Sequence, residues 1–215
     1  MLLKLVHEFA SLPWVYDRIQ QAVGVKKVYA KLAPHLGAGR EQELVLDIGG
    51  GTGSLKIHCA PSQRYVCLDI EWPKLQGFRA KFPEESGILG DATCLPIASG
   101  SVDTAICMFV AHHLDDELLR KMFSEVERTL RPGGRLLLLD PILDVGRIAG
   151  RILWKLDRGS FPRTPAILKR ALEQRFALEH WSEFAVWHKY VLGIVRKREQ
   201  VHPAMLPRGS GESAF

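Results

Sequence analysis

Long apolar runs are missing from the 215 residues, and none approaches the ~20 that a transmembrane helix needs. The start, Met1-Leu-Leu-Lys-Leu-Val-His-Glu-Phe9, has no basic leading region, and His7 and Glu8 interrupt its apolar residues, so no signal peptide is expected. Cysteine is scarce: Cys59, Cys67, Cys94 and Cys107 form no C-x-x-C pair and have no nearby histidine at metal-ligand spacing. A disulfide scaffold and a structural zinc site are thereby excluded, and the four read as reduced core residues of a cytoplasmic protein. Internal repeats are absent too. What remains, 47% hydrophobic and 25% charged residues, is the balance of a globular chain. At roughly 150 residues per domain, one domain with additions fits the length better than two.

The charge is unevenly placed. Residues 141–200 hold twelve Lys/Arg against six Asp/Glu, whereas residues 1–140 hold sixteen against seventeen. The whole basic excess therefore sits in one late segment.

Helical spacing of apolar residues predicts helices over about 2–12, 14–23 and 26–35, and Gly37-Ala-Gly39 then breaks the chain. Short continuous apolar runs follow at Leu44–Ile48, Tyr65–Asp69, Ser101–Phe109 and Arg135–Asp140. Runs that do not alternate belong to strands covered on both faces, as in a parallel sheet. Between the last two lies a helical pattern over Glu117–Leu130, which Arg131-Pro-Gly-Gly134 should stop. The stretch 142–178 reads as helical again, interrupted at 157–165, and two late strands are expected near 179–184 and 189–196. The end, 201–215, lacks periodicity and reads as a mobile tail. Such alternation of strands and helices is that of an open α/β sheet.

The strongest local signal is Leu44-Val-Leu-Asp-Ile-Gly-Gly-Gly-Thr-Gly-Ser-Leu55, a buried strand running into four glycines within five residues. Glycine lets backbone turn tightly and approach a ligand closely. A helix is expected next, aiming its free N–H groups at an anionic ligand group. The dinucleotide pattern G-x-G-x-x-G fails, because its last position holds Ser54 or Lys56 according to the starting glycine. What fits is Asp47 followed by Gly49, Gly51 and Gly53, which resembles the first motif of the class I S-adenosylmethionine (SAM)-dependent methyltransferases. Asp69 ends the next strand twenty-two residues after Asp47, where a carboxylate can accept from both ribose hydroxyls. Gly90-Asp91-Ala92 resembles the family's adenine-binding turn, and Arg131-Pro-Gly-Gly134 its late signature. Met108-Phe-Val-Ala-His-His-Leu114 is similar to the segment after the fourth strand in the small-molecule branch, the type 11-like group around the ubiquinone/menaquinone biosynthesis enzymes.

This resemblance implies a Rossmann-like fold of seven mostly parallel strands with helices on both faces, the last strand antiparallel. N-terminal helices and a helical insertion before the last two strands would complete it. Residues 1–200 would be a single domain: a helical cap over 1–36, a cofactor-binding core over 40–140, a helical lid and acceptor segment over 141–178, and the last strands over 179–200. SAM would be held by Asp47, Gly49, Gly51, Gly53, Asp69, Ile70, Asp91, Ala92 and Met108, with no metal in the scheme. Asp69→Ala is expected to weaken SAM binding and leave the fold intact.

The implied reaction moves a methyl group to a small-molecule acceptor, aromatic, anionic or lipid-like, by in-line displacement. A hydroxyl or acidic-carbon acceptor would also need a base. His112 and His113 are the candidates, since histidine can take a proton near neutrality; capping of a helix is the alternative for either. Tyr16, Tyr190 and Asp140 are further candidates around the acceptor. Trp14, Tyr16, Trp154 and Phe161 would wall its pocket or, equally, pack helices onto the sheet. Arg147, Arg151 and Lys155 share one helix face, suiting an anionic acceptor, an acidic partner or peripheral membrane contact through 142–156; a solvated face is the plainer reading. No nucleic-acid-binding motif is present. A SAM-binding scaffold or sensor without turnover is the non-enzyme alternative, and an NAD-dependent oxidoreductase is disfavoured by the failed glycine pattern.

Overall fold

The computed structural model describes residues 25–36, 42–143, 161–186 and 189–198. The first two N-terminal helices, the basic face at Arg147, Arg151 and Lys155, most of the 142–156 segment and the 201–215 tail lie outside them. Helix α1 (Val25–Leu36) corresponds to the third predicted N-terminal helix. Strand β1 (Leu44–Ile48), β2 (Arg64–Asp69), helix α2 (Trp72–Lys81) and the short β3 (Ser86–Leu89) follow. Next come β4 (Val102–Met108), α3 (Asp116–Thr129), β5 (Leu130–Ile142) and α4 (Pro165–Glu173). The described chain closes with β6 (Phe176–Ala185) and β7 (Lys189–Lys197).

The strands form one sheet in the order β3-β2-β1-β4-β5-β7-β6. The first four pairings are parallel, and β7 runs antiparallel to both β5 and β6. The continuous apolar runs are explained by burial on both faces. Leu46, Ile48, Ala105, Cys107, Leu136 and Leu138 pack with α3 and α4 on one side. Val45, Tyr65, Ile106, Leu137 and Leu139 pack with α1 and α2 on the other. All seven residues of β4, at the centre, are buried.

Helix α3 forms where the pattern placed it. Asp115 caps it, its carboxylate accepting the Leu118 N–H at 2.8 Å, a contact worth about 1 kcal/mol. Leu119, Met122, Phe123 and Val126 are its buried stripe, so Phe123→Ala would cost about 3–5 kcal/mol. In α4, Thr164 is the cap and Pro165 sits in the first turn, where a missing N–H costs nothing.

Four expectations need correction. No α-helix follows the glycine turn, only a single 3-10 turn at Lys56–His58. Arg131-Pro-Gly-Gly134 is not a boundary before a strand but an irregularity within β5: Leu130 pairs with Val102 and Arg135 with Thr104, the extra residues bulging between them. The helical reading up to 178 stops at Glu173, and β6 begins at Phe176, which is fully buried. Finally, Cys94 is exposed and Cys59 half-buried, so only Cys67 and Cys107 are core residues. Among the described residues no helix is long and apolar enough to cross a membrane.

Candidate active site

From β1 the chain runs outward to β2 and β3, then crosses back to β4 on the other side of β1. Ligands of open α/β sheets bind at such a switch point, beyond the carboxyl ends of the strands. A small cleft opens there, with Tyr29, Asp47, Gly49, Gly50, Met108 and Phe109 on its walls.

Its floor is the glycine turn. The Gly49 and Gly50 N–H groups donate to the Leu68 carbonyl at 2.7 and 3.1 Å, tying the turn to β2. Gly49 has φ +71, and a Cβ there would lie 2.3 Å from Val110 Cγ2. At Gly50 a Cβ would meet the Asp47 carboxylate and Cys67 Sγ within 2.8 Å. Only glycine satisfies the conformation and the close approach together.

Two carboxylates stand behind this turn. Asp47, in β1, is 1% exposed and accepts a short hydrogen bond from the Tyr65 hydroxyl. Burial pushes its carboxyl up to about 7, the Tyr65 bond opposing the shift and the nearby Asp69 charge adding to it. Asp69, the last residue of β2, accepts the Gly51 N–H at 2.9 Å on one oxygen and the Glu71 N–H at 2.8 Å on the other. Burial raises its pKa, while the Glu71 and Gly51 N–H groups and Lys74 oppose the rise. An ionised carboxylate has about four acceptor sites, and the backbone engages two of them. Beside it Ile70 is 68% exposed, as is Leu89 at 54% on the paired end of β3.

The turn after β3 is drawn to the same end, Gly90 N–H donating to the Asp69 carbonyl at 3.0 Å. Asp91 itself is exposed and accepts the Thr93 N–H and hydroxyl, each at 2.8 Å, on one oxygen. Ala92 follows, half-buried. Met108 ends β4 inside the cleft, and Phe109 after it has φ +56. For a bulky residue that conformation costs about 1–3 kcal/mol and marks sites that need it. The Phe109 N–H bonds to the Leu139 carbonyl at 3.0 Å, and the ring lies 5.9 Å from that of Tyr190.

The two histidines part company. His113 is exposed, whereas His112 is 4% exposed with Nδ1 3.0 Å from Asp140 Oδ1. Arg163 closes the turn that carries them, its Nη1 donating to the Ala111 carbonyl at 2.8 Å and its Nη2 to the Leu114 carbonyl at 2.7 Å. The same guanidinium pairs with Asp116 at 2.7 Å. The structure therefore groups Asp47, Gly49, Gly51, Asp69, Ile70 and Met108 closely, with Gly53, Asp91 and Ala92 on the flanking turns. Trp14, Tyr16 and Trp154 lie outside the described residues, and Phe161 is 42% exposed.

Sequence reasoning missed Tyr29, Tyr65, Phe109 and Arg163. Tyr29 adjoins the buried Val28 of α1, a position that could have drawn attention; the left-handed backbone of Phe109 leaves no mark in the sequence.

Residues 45–134 match the model of the methyltransferase domain family. Over these residues the chain is similar to a methyltransferase domain. It is 34% identical over 120 residues to the uncharacterized methyltransferase YcgJ of Bacillus subtilis, covering 49% of this chain and 46% of that one. The ubiquinone/menaquinone biosynthesis C-methyltransferase UbiE of Pasteurella multocida is 30% identical over 154 residues, covering 63% of this chain and 56% of the relative. The chain thus spans about half the length of the curated relatives that it matches. Among solved structures, that of YcgJ superposes with a TM-score of 0.68 at 18% identity, covering 80% of this chain and 98% of the other. A geranyl diphosphate C-methyltransferase of Streptomyces coelicolor, solved with Mg2+, geranyl diphosphate and S-adenosyl-L-homocysteine, gives 0.68 at 13% identity, covering 80% of each. The chain thus shares the Rossmann-like fold of these two solved structures.

Proposed function

We propose that the protein binds SAM at the β1–β2–β4 switch point and transfers its methyl group to a small-molecule acceptor, aromatic, anionic or lipid-like. The observation that carries this reading is Asp69: a buried carboxylate at the end of β2, steered by two backbone N–H groups, beside the exposed apolar Ile70. Its remaining acceptor sites suit a ribose diol, and Ile70 with Ala92 suits the flat face of a purine. Asp91 stands at the adenine end. The glycine turn and Asp47 would hold the amino-acid end, since the Cβ-free surface of Gly49 and Gly50 leaves the cleft open beside a carboxylate able to pair with an ammonium group. When bound, SAM supplies an electrophilic methyl carbon on sulfur.

The chain's own residues position and dehydrate. Orientation alone can contribute about 7–11 kcal/mol to such a displacement. Met108, Phe109 and Tyr29 exclude water from the cleft, and a histidine after β4 accepts the acceptor's proton where the acceptor carries one. Cytoplasmic residence and contact with an anionic membrane through 142–156 belong to the same reading. The test is methyl transfer from SAM labelled in its methyl group to a panel of phenolic, quinol and anionic lipid-like compounds. Label in an organic product, lost in Asp69→Ala, supports it. Tight SAM binding with no transfer to any member would favour a scaffold or sensor instead.

A further inference from the structure

Helix α4 divides its residues between two surroundings. Leu168 and Leu172, one turn apart, are buried in the core beneath it. Ala166, Arg170 and Gln174 recur at the four-residue spacing that keeps side chains on one flank, with Ile167 and Ala171 beside them. That flank faces Leu119 and Arg120 of α3 across a groove wider than the cleft at the glycine turn. The two hollows have no wall residue in common.

The floor and the walls of the groove differ in chemistry. The floor is apolar: Leu119 is 2% exposed beneath it, and Ile167 remains 53% exposed at its rim. The walls are cationic. On α3 and α4, Lys121 pairs with Glu117, Arg128 with Glu125 and Lys169 with Glu173. Arg120 and Arg170 are the two basic side chains of these helices that hold no ion pair among the described residues, and both stand on the groove. Glu117, on which Arg120 acts, is occupied by Lys121 at 2.8 Å. Asp116, the groove's one acid, is taken by Arg163 at 2.7 Å. Two positive charges therefore stand uncompensated over an apolar floor.

We propose that this groove is a second binding site, for a small amphiphilic anion. A carboxylate or phosphate would sit between Arg120 and Arg170, with a short apolar chain over Leu119, Ala166, Ile167 and Ala171. A planar guanidinium matches the oxygens of either anion, and a few convergent polar groups above an apolar surface is the make-up of small-ligand pockets. From Ala166 to Gln174 the flank runs about 12 Å at 1.5 Å per residue, the length of an extended chain of about ten atoms. Nine residues line the groove, far fewer than the roughly 20–30 a side of a standard protein interface, so a small molecule fits it better than a protein surface. At one end the occupant would abut Arg163, whose guanidinium also holds the carbonyls of Ala111 and Leu114 on the turn after β4. The site needs no cofactor and stands apart from the methyl-transfer reading.

The experiment is NMR titration of the full chain, labelled in its alanine, isoleucine and methionine methyl groups, with decanoate below its micelle concentration. Decyltrimethylammonium, a cation on the same chain, is the control, and vesicles containing phosphatidylglycerol present the anion on a surface. Decanoate should shift the Ala166, Ile167 and Ala171 methyl signals saturably, with a dissociation constant of about 1 mM or below, and the cation should not. Arg120→Gln combined with Arg170→Gln, both at exposed positions, should weaken binding about tenfold. Ala166→Trp, which fills the groove from an exposed position, should abolish it. Unmoved methyl signals, equal affinity in the double variant, or a response to vesicles alone overturns the proposal. So does a shift confined to Met108, which would put decanoate in the cleft at the glycine turn. An acidic amphipathic peptide that moves the groove signals where decanoate does not would make the groove a protein-docking surface instead. No methyl transfer and no SAM enter the measurement, so failure here is distinguishable from failure of the functional reading.

Discussion

Replacing Asp69 with alanine removes two different interactions at once, and the structure separates their sizes. The carboxylate is the acceptor for the Gly51 and Glu71 N–H groups. Leaving a buried donor unpaired costs about 1–3 kcal/mol; relief of the burial that raises the Asp69 pKa offsets part of this. Asp69→Ala should therefore destabilise the fold by about 1–3 kcal/mol, in place of the intact fold expected from the sequence. A hydrogen bond to a charged group is worth about 1.5–3 kcal/mol, so loss of the ribose contact should raise the SAM dissociation constant about 10- to 150-fold. Urea unfolding measures the first effect, and calorimetry well below the unfolding midpoint measures the second. Asp69→Asn keeps one acceptor oxygen and loses the charge, so it should fall between. A dissociation constant within twofold of the native value, with stability lowered as stated, would show that Asp69 fastens the turn and touches no cofactor.

Three further outcomes follow from the same geometry. Asp47, with its pKa raised from 3.8 to about 7, binds its proton more tightly folded than unfolded. Stability should fall as pH rises from about 4 to 7 and level off above, with an upper bound of about 4 kcal/mol from this group; Asp47→Asn should flatten that slope in urea titrations at pH 5 and 8, and an unchanged slope would refute the assignment. Gly49→Ala meets both a positive φ and Val110 Cγ2 at 2.3 Å, so a loss of at least about 2 kcal/mol is expected. Adding Val110→Ala should restore part of it, and strict additivity would argue against the clash. Arg163→Met removes a donor from three carbonyls and from Asp116 and should cost about 2–4 kcal/mol, whereas a change under about 0.5 kcal/mol would mean that the turn holds itself.

The features legible in the sequence were those that local chemistry dictates. Strands β1, β2, β4 and β5 announce themselves because both of their faces are buried, and the spacing of Asp47, the glycines and Asp69 follows from one strand–turn–strand unit. Strand β3 does not: Ser86-Gly-Ile-Leu89 is a four-residue edge strand with exposed ends, too short for a pattern. Helix-compatible residues after Gly53 misled because the turn is satisfied by Asp69 and Leu68 rather than by a helix. His112 and Asp140 were each visible as candidates, but their pairing depends on strand order and on side-chain direction across 28 residues. Arg163 read only as part of a proline-rich break, since nothing local shows that its guanidinium reaches the turn after β4.

The central claim, that this sheet holds SAM at its switch point, is tested most directly by calorimetric titration of the protein with SAM, with S-adenosylhomocysteine and with NAD in parallel. Saturable binding of the first two, weakened in Asp69→Ala, with no heat from NAD, is the predicted result. Binding of NAD alone would contradict the account and every cofactor contact assigned to the glycine turn.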